Sequence, residues 1–343
     1  MQTSTSPSSK QPQVTPERLM QFAFGYAPAI MISTAAELGV FDALETGPKS
    51  APELAKAVDA SERGLQMLTN ALAAFEFLAK DGDRFSLTPE SATYLVSSKP
   101  AYLGPLFRNL CSRQLPGWLH LSDVVRTGRP TQDVAEGSQA EEFFKELVPA
   151  LFALNYSPAQ ALARALTFKP AQTPRILDLA AGSGVWGIAA AQQHPSARVT
   201  AVDLEGVIPV TRKTVERLGL EGRFDFISGD VLKADLGTGH TAAIVGHLLH
   251  GMGAKDSQQL IRRVADALAP GGTIAIAEYL VKKDRSGPPF SLIFAINMLV
   301  FTEKGDTFSF EEISSWLQEA GFENARLLEA PGPSPLVLAT KRA

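Results

Sequence analysis

The run Arg175-Ile176-Leu177-Asp178-Leu179-Ala180-Ala181-Gly182-Ser183-Gly184 carries an apolar, β-prone segment into a turn of small residues and then into a helix start. The first amides of that helix have no intrahelical partners, and small residues let a ligand approach the backbone. The next apolar run, Val199-Thr200-Ala201-Val202, ends in Asp203, where a carboxylate can accept both hydroxyls of a ribose. The pair of features reads as a nucleotide-cofactor site. A dinucleotide fingerprint, G-x-G-x-x-G, would set a pyrophosphate on the helix N-terminus. Here the order is Asp178, Ala180, Gly182, Gly184, a D-x-G-x-G-x-G spacing with its first glycine changed to alanine. An Asp178 carboxylate in the loop would repel a pyrophosphate, whereas it suits the cationic end of S-adenosylmethionine.

Other residues able to do chemistry fall at the ends of apolar runs. From 173 onward strands and helices alternate, with strands expected at 175 to 179, 198 to 203, 223 to 228, 241 to 247, 272 to 278, about 325 to 329 and 335 to 340. Such alternation argues a parallel sheet with helices on both faces. Ligands in these sheets bind beyond the carboxyl ends of the strands, which would gather Asp178, Asp203, Asp230, His250 and Glu278. His247 and His250, three residues apart, raise the question of a metal pair. No acidic cluster nearby in the sequence completes a ligand set, so no metal is expected.

The elements that must position these residues follow from the rest of the chain. Its 343 residues favour two domains. A net charge of −4 and a pI near 5.8 do not favour nucleic acid or an anionic membrane as partner. The single cysteine, Cys111, permits no internal disulfide and suits a reducing cytosol. Residues 1 to 16 are polar and read as a disordered tail. Phe22 to Leu44 is strongly apolar, but Pro28, Glu37 and Asp42 argue against a membrane span and for helices buried at an interface.

Ser50 followed by Pro52, and Ser61 followed by Glu62, mark two helix starts. Phe77 to Lys80 and Arg84 to Leu87 read as a hairpin around Asp81-Gly82-Asp83. Helix, helix, hairpin is a winged-helix order over 17 to 105. Its second helix offers only Arg63 for reading bases, so packing and dimerisation are expected rather than DNA binding. Residues 106 to 168 read as linking helices, with Phe143, Phe144, Leu147, Leu151 and Phe152 on one face as core or pocket wall.

These residues resemble the two-domain, S-adenosylmethionine-dependent O-methyltransferases, typified by plant caffeate and acetylserotonin enzymes and by bacterial natural-product enzymes. The resemblance spans 17 to 341 and rests on the order of elements and on Ile176 to Gly184, Val202-Asp203-Leu204, Ser228-Gly229-Asp230-Val231, His247-Leu248-Leu249-His250, Ala269-Pro270-Gly271-Gly272 and Ala320-Gly321-Phe322. It implies an α/β fold: a seven-stranded Rossmann-like class I methyltransferase domain over 169 to 343, preceded by a mainly helical winged-helix dimerisation domain. By residue-by-residue match, Asp178, Ala180, Gly182 and Gly184 face the methionine moiety. Asp203, with Leu204, takes the ribose, Asp230 the adenine amino group and Val231 the adenine ring.

The same match makes His250 the general base and Glu278 its orienter. Tyr156, Phe294, Asn297 and Met298 become acceptor-pocket residues. The chain departs from the plant pattern in three places: Gly246 replaces a cofactor-contacting lysine, Gly251 an aspartate, and Thr307, beside Asp306, a second glutamate. The expectation is a cytosolic, homodimeric, metal-independent enzyme that methylates a hydroxyl of a small aromatic acceptor. Two rival readings stand beside it: a winged-helix, ligand-sensing DNA-binding regulator, and a methyltransferase-like enzyme of C-methylation, hydroxylation or decarboxylation chemistry.

Overall fold

The computed structural model describes residues 14–131, 137–169 and 173–343. Most of the expected tail, residues 1–13, and the side chain of Phe143 lie outside the described residues. The chain divides into two compact units, one reaching Ala92 and the other beginning at Thr93.

The first unit starts with helices α1 (Glu17–Ala23), α2 (Ala27–Glu37) and α3 (Val40–Leu44). By length and composition alone, Glu17–Glu37 is long and apolar enough to cross a membrane. In the structure the stretch is not one helix, because the chain turns at Phe24 to Tyr26 between α1 and α2. Strand β1 (Lys49–Ser50) leads into α4 (Ala51–Ala57), where Ser50 and Glu53 form a reciprocal capping box and Pro52 sits in the first turn. Helix α5 (Glu62–Ala74) is capped by Ser61, and β2 (Leu78–Asp81) and β3 (Arg84–Leu87) form the hairpin. Gly82 takes φ +58° in its tight turn. Phe41, Leu54, Leu65, Leu72 and Phe85 are fully buried and supply the core.

The unit boundary falls within α6 (Pro89–Tyr94). Helices α7 (Gly104–Asn109), α8 (Leu115–Trp118), α9 (Leu121–Thr127) and the long α10 (Gly137–Ala165) follow. They belong to the second unit. A seven-stranded sheet then forms from β4 (Arg175–Leu179), β5 (Arg198–Asp203), β6 (Phe224–Ser228), β7 (His240–Gly246), β8 (Leu268–Ala277), β9 (Phe322–Leu328) and β10 (Leu336–Lys341), in the order β6-β5-β4-β7-β8-β10-β9. The helices between them are α11 (Val185–Gln193), α12 (Ile208–Arg217), α13 (Gly253–Ala267), α14 (Pro289–Phe301) and α15 (Phe310–Glu319).

The sheet is not wholly parallel, which corrects the expectation: β10 runs antiparallel to both β8 and β9. The reason is the connection. Residues 329–335 are too few for a crossover helix, so the chain turns back on itself, whereas α14 and α15 carry β8 over to β9 in the same direction. Strand β8 also begins earlier than expected, because the Pro270-Gly271-Gly272 segment shifts register between the His240–Leu268 and Ala242–Thr273 pairs.

Alternation along the strands divides the core in two. Ile176, Val199, Ala201, Ile244 and Ala275 pack with α10 and α11 on one face. Leu177, Leu179, Val202, Val245 and Ile276 pack with α13 and α15 on the other. The carboxyl ends of β4, β5, β6, β7 and β8 therefore meet along one edge, and there the chemistry-bearing residues gather.

Candidate active site

The small-residue loop after β4 is held open by backbone conformation. Ala180, Gly182 and Gly184 have φ of +49°, +56° and +77°, the left-handed region in which a β-carbon is costly. A β-carbon at Gly184 would lie 3.1 Å from both Ile188 Cδ1 and Thr211 Cγ2. Gly182 is clamped from two sides: its N–H donates to Asp203 Oδ2 at 2.7 Å, and its carbonyl accepts from Thr211 Oγ1 at 2.7 Å. Val148 of α10 lies over the same glycine.

Asp203 Oδ1 accepts from the N–H of Leu204 at 2.7 Å. Burial, opposed by these two N–H donors, pushes its carboxyl up to about 6. A carboxylate offers about four acceptor positions, and two are taken, so the remainder can receive the paired hydroxyls of a ribose. The loop and Asp203 thus fit a nucleoside.

Asp178 departs from its expected place. Strand alternation turns its side chain onto the α11 face, beneath the loop, where it is fully buried. Its Oδ2 accepts from Gly187 N at 2.8 Å, and Oδ1 has no partner. Burial, with the nearby Asp203 charge adding to it, lifts Asp178 to about 8. Gly187 was not singled out from sequence, yet a β-carbon there would meet Asp178 Oδ2 at 2.8 Å.

At the next strand end, Gly229 N donates to Asp203 O at 2.8 Å and ties the two loops together. Asp230 Oδ1 accepts from Leu232 N at 2.8 Å, while Oδ2 pairs with Lys233 at 3.1 Å. Val231 is buried beside it.

His250 lies in a 3-10 turn, Leu249–Gly251, just after β7. Its Nδ1 is 2.7 Å from Glu278 Oε2, and its backbone N–H donates to Oε1 at 3.3 Å. Both expected members of the pair are brought together. Burial would raise Glu278, but the His250 charge and hydrogen bonds outweigh it and hold the carboxyl below its ordinary value. A proton fixed on Nδ1 by this carboxylate leaves Nε2 as the basic atom. Asp306 N donates to the His250 carbonyl at 2.9 Å, and a β-carbon on Gly305 would come within 2.5 Å of that oxygen. Thr307, in place of a second glutamate, is buried with Oγ1 unpartnered.

His247 corrects the reading that no carboxylate joins the histidine pair. Ligand atoms of His247, His250 and Glu278 lie within 4.8 Å of one another, a set able to hold a metal ion in composition. The carboxylate comes from the residue that follows β8, remote in sequence, and it is already engaged with His250. Burial keeps His247 neutral by pushing its pKa down to about 4.

An aromatic wall completes the site. Phe294 of α14 meets the His250 ring edge-on at 4.9 Å, and Tyr279 lies 4.4 Å from Phe294 and 5.2 Å from Phe290. Burial, with Glu278 adding to it, pushes the Tyr279 hydroxyl up to about 12. Asn297, one turn beyond Phe294, accepts from Trp118 Nε1 at 2.9 Å. Met298 is buried behind the base, against Gly305.

Tyr156 is not beside the base, which corrects its expected role. Its hydroxyl donates to Gln192 Oε1 at 2.8 Å and its ring stacks on Phe152 at 5.3 Å. Gln192 is at the far end of α11 from the loop, roughly 12 Å away at 1.5 Å per residue. Sequence reasoning also missed Tyr279 and Trp186. The first was signalled by its place directly after Glu278. The second explains Gly246: a β-carbon there would lie 2.2 Å from Trp186 Nε1, so the indole fills the space that a lysine would need.

A seven-stranded sheet of this order, with a glycine loop, a buried carboxylate and a His–Glu pair at its carboxyl edge, defines a class I S-adenosylmethionine-dependent methyltransferase. The chain belongs to the O-methyltransferase family: the O-methyltransferase domain pattern matches residues 118–323, and the O-methyltransferase dimerisation domain pattern matches 20–97. Among characterised relatives, 3-hydroxy-5-methyl-1-naphthoate 3-O-methyltransferase of Streptomyces sahachiroi is 31% identical over 95% of each chain. Acetylserotonin O-methyltransferase of Mus musculus is 28% identical over 94% of this chain and 88% of its own. The fold is shared with human N-acetylserotonin methyltransferase, solved with S-adenosylmethionine, at a TM-score of 0.83 and 24% identity over 98% of this chain and 100% of that one.

Proposed function

We propose that this enzyme methylates a hydroxyl group on a small, flat aromatic acceptor, with His250 as the general base. The observation that carries the reading is the 2.7 Å contact between His250 Nδ1 and Glu278 Oε2, with Phe294 set edge-on to the same imidazole. S-adenosylmethionine, when bound, supplies a methyl group on a sulfonium. A phenol with its ordinary pKa near 10 is mostly protonated at neutral pH, so it needs a base.

His250 Nε2 takes the hydroxyl proton, and the Glu278 carboxylate stabilises the imidazolium that results. Tyr279, Phe290 and Phe294 offer apolar ring faces that hold a planar acceptor and exclude water. The Ala180 to Gly184 loop and Asp203 hold the nucleoside, Asp230 and Val231 meet the adenine, and Asp178 supports the loop from below. Asn297 borders the acceptor through its free amide edge. Holding the hydroxyl in line with the methyl group supplies much of the rate. The relatives named above act on a hydroxynaphthoate and on acetylserotonin, which supports an aromatic acceptor here.

Exposed Met20, Phe22, Phe24 and Tyr26 in the dimerisation-domain match support a homodimer. The cytosol is the compartment this reading assigns. For the base, His250→Ala should leave S-adenosylhomocysteine affinity within about twofold and lower turnover roughly 10²–10⁴-fold. Calorimetry and a methyl-transfer assay on a panel of phenols read the two quantities. Unchanged turnover would sink the base assignment.

A further inference from the structure

His247 is the polar group of the site that the proposed mechanism leaves idle. It is the first residue after β7, and its backbone takes φ +56°, a conformation a histidine seldom adopts. Its N–H donates to Ala277 O at 2.9 Å, which pins the residue there. The imidazole is set among Tyr279 at 4.8 Å, Trp186 at 6.2 Å and His250 at 6.2 Å between ring centroids. Nδ1 is buried without a partner, while the residue as a whole is partly exposed.

A buried N–H left without an acceptor is rarer than a lone pair left without a donor. The neutral ring therefore carries its proton on Nε2, the nitrogen that is not walled off. That leaves an N–H donor beside the base, with no acceptor for it among the described residues.

We propose that His247 recognises a second oxygen on the acceptor, next to the hydroxyl that is methylated. The substrate class is an aromatic hydroxyl flanked, ortho or peri, by a carbonyl, a carboxylate or another hydroxyl. The spacing suits this. The ring centroids of His247 and His250 are 6.2 Å apart. Two hydrogen bonds of about 2.8 Å, running to oxygens that are themselves about one hydrogen-bond length apart, bridge such a gap. His250 then takes the proton of one oxygen while His247 donates to its neighbour, which fixes the ring in its plane and selects the position methylated.

This inference rests on the hydroxyl-transfer reading and is tested so that the two can fail separately. Wild-type protein, His247→Leu and His247→Gln are assayed on a 2-hydroxyaryl ketone, a catechol and matched phenols lacking the second oxygen. S-adenosylhomocysteine affinity serves as the check that each variant is folded. Wild type should prefer the paired oxygens by at least about tenfold in kcat/KM. His247→Leu should bring that preference close to one, mainly by raising KM on the paired substrates. His247→Gln, which restores an amide donor, should recover part of it. Full preference retained by His247→Leu, or none in wild type, would overturn the role of His247 while leaving the hydroxyl-transfer reading in place. No transfer to any of these acceptors by protein that binds S-adenosylhomocysteine would overturn both.

Discussion

At the scale of residues, the site depends on carboxylates placed in contrasting surroundings. Glu278 stays ionised because His250 faces it, whereas Asp178 and Asp203 are raised to about 8 and about 6 by burial. A raised carboxyl favours folding below its unfolded pKa, and that contribution is lost as pH climbs through the folded value. Stability should therefore fall between about pH 4 and 8, by up to roughly 1.4 kcal/mol per pH unit from Asp178. Urea denaturation of Asp178→Asn should show a flatter slope. At pH 5, where the wild-type carboxyl is protonated and its Oδ1 is already unpartnered, the two proteins should differ by less than about 1 kcal/mol. Asp203 gives a different signal. In its proposed role the ionised carboxylate accepts the ribose hydroxyls, so cofactor affinity should weaken as pH falls through about 6. Asp203→Ala should cost roughly 1.5–3 kcal/mol of binding in a calorimetric titration at pH 8.

At the scale of elements, close approach decides which side chains are allowed. Trp186, in the first turn of α11, is buried against the last residue of β7, and Gly246 is the residue that permits it. Gly246→Ala should destabilise by about 1–3 kcal/mol through overpacking, because an indole ring is rigid where a flexible chain end would yield. In a double-mutant cycle with Trp186→Leu, the combined loss should be smaller than the sum. Helix α15 shows the opposite kind of dependence, a wholly local one. Ser309 and Glu312 cap its start reciprocally, at 3.2 Å and 2.7 Å. Ser309→Ala should cost about 1 kcal/mol, read as a lowered Tm, with cofactor affinity unchanged.

At the scale of the molecule, the first unit exposes an apolar surface that a lone chain leaves in water. Leu19 and Phe22 are 75% and 72% exposed, with Met20, Phe24 and Tyr26 also open, and contiguous patches of this kind mark interaction sites. Light scattering at micromolar concentration should give twice the chain mass. Phe22→Asp combined with Leu19→Asp should shift it toward a single chain while S-adenosylhomocysteine still binds, since the glycine loop and Asp203 belong to the other unit. A wild-type chain that scatters as a stable monomer would refute the dimer.

What the sequence determined by itself is local or periodic. The helix starts at Ser50 and Ser61, the hairpin around Gly82 and the strand ending in Asp203 depend on residues a few positions apart. The glycine loop is legible for the same reason, as its conformation is set by its own small residues. The His250–Glu278 pair was legible through the family resemblance, since no short-range pattern links a turn after β7 to the end of β8. Tertiary structure decided the rest. Strand alternation turned Asp178 under the loop, and helix rotation sent Tyr156 to Gln192. A short return reversed β10. Parallel register brought His247, His250 and Glu278 within reach of one another. Each outcome depends on how separate elements are aligned, and that alignment is set by packing across the whole sheet, which no single stretch of the chain encodes.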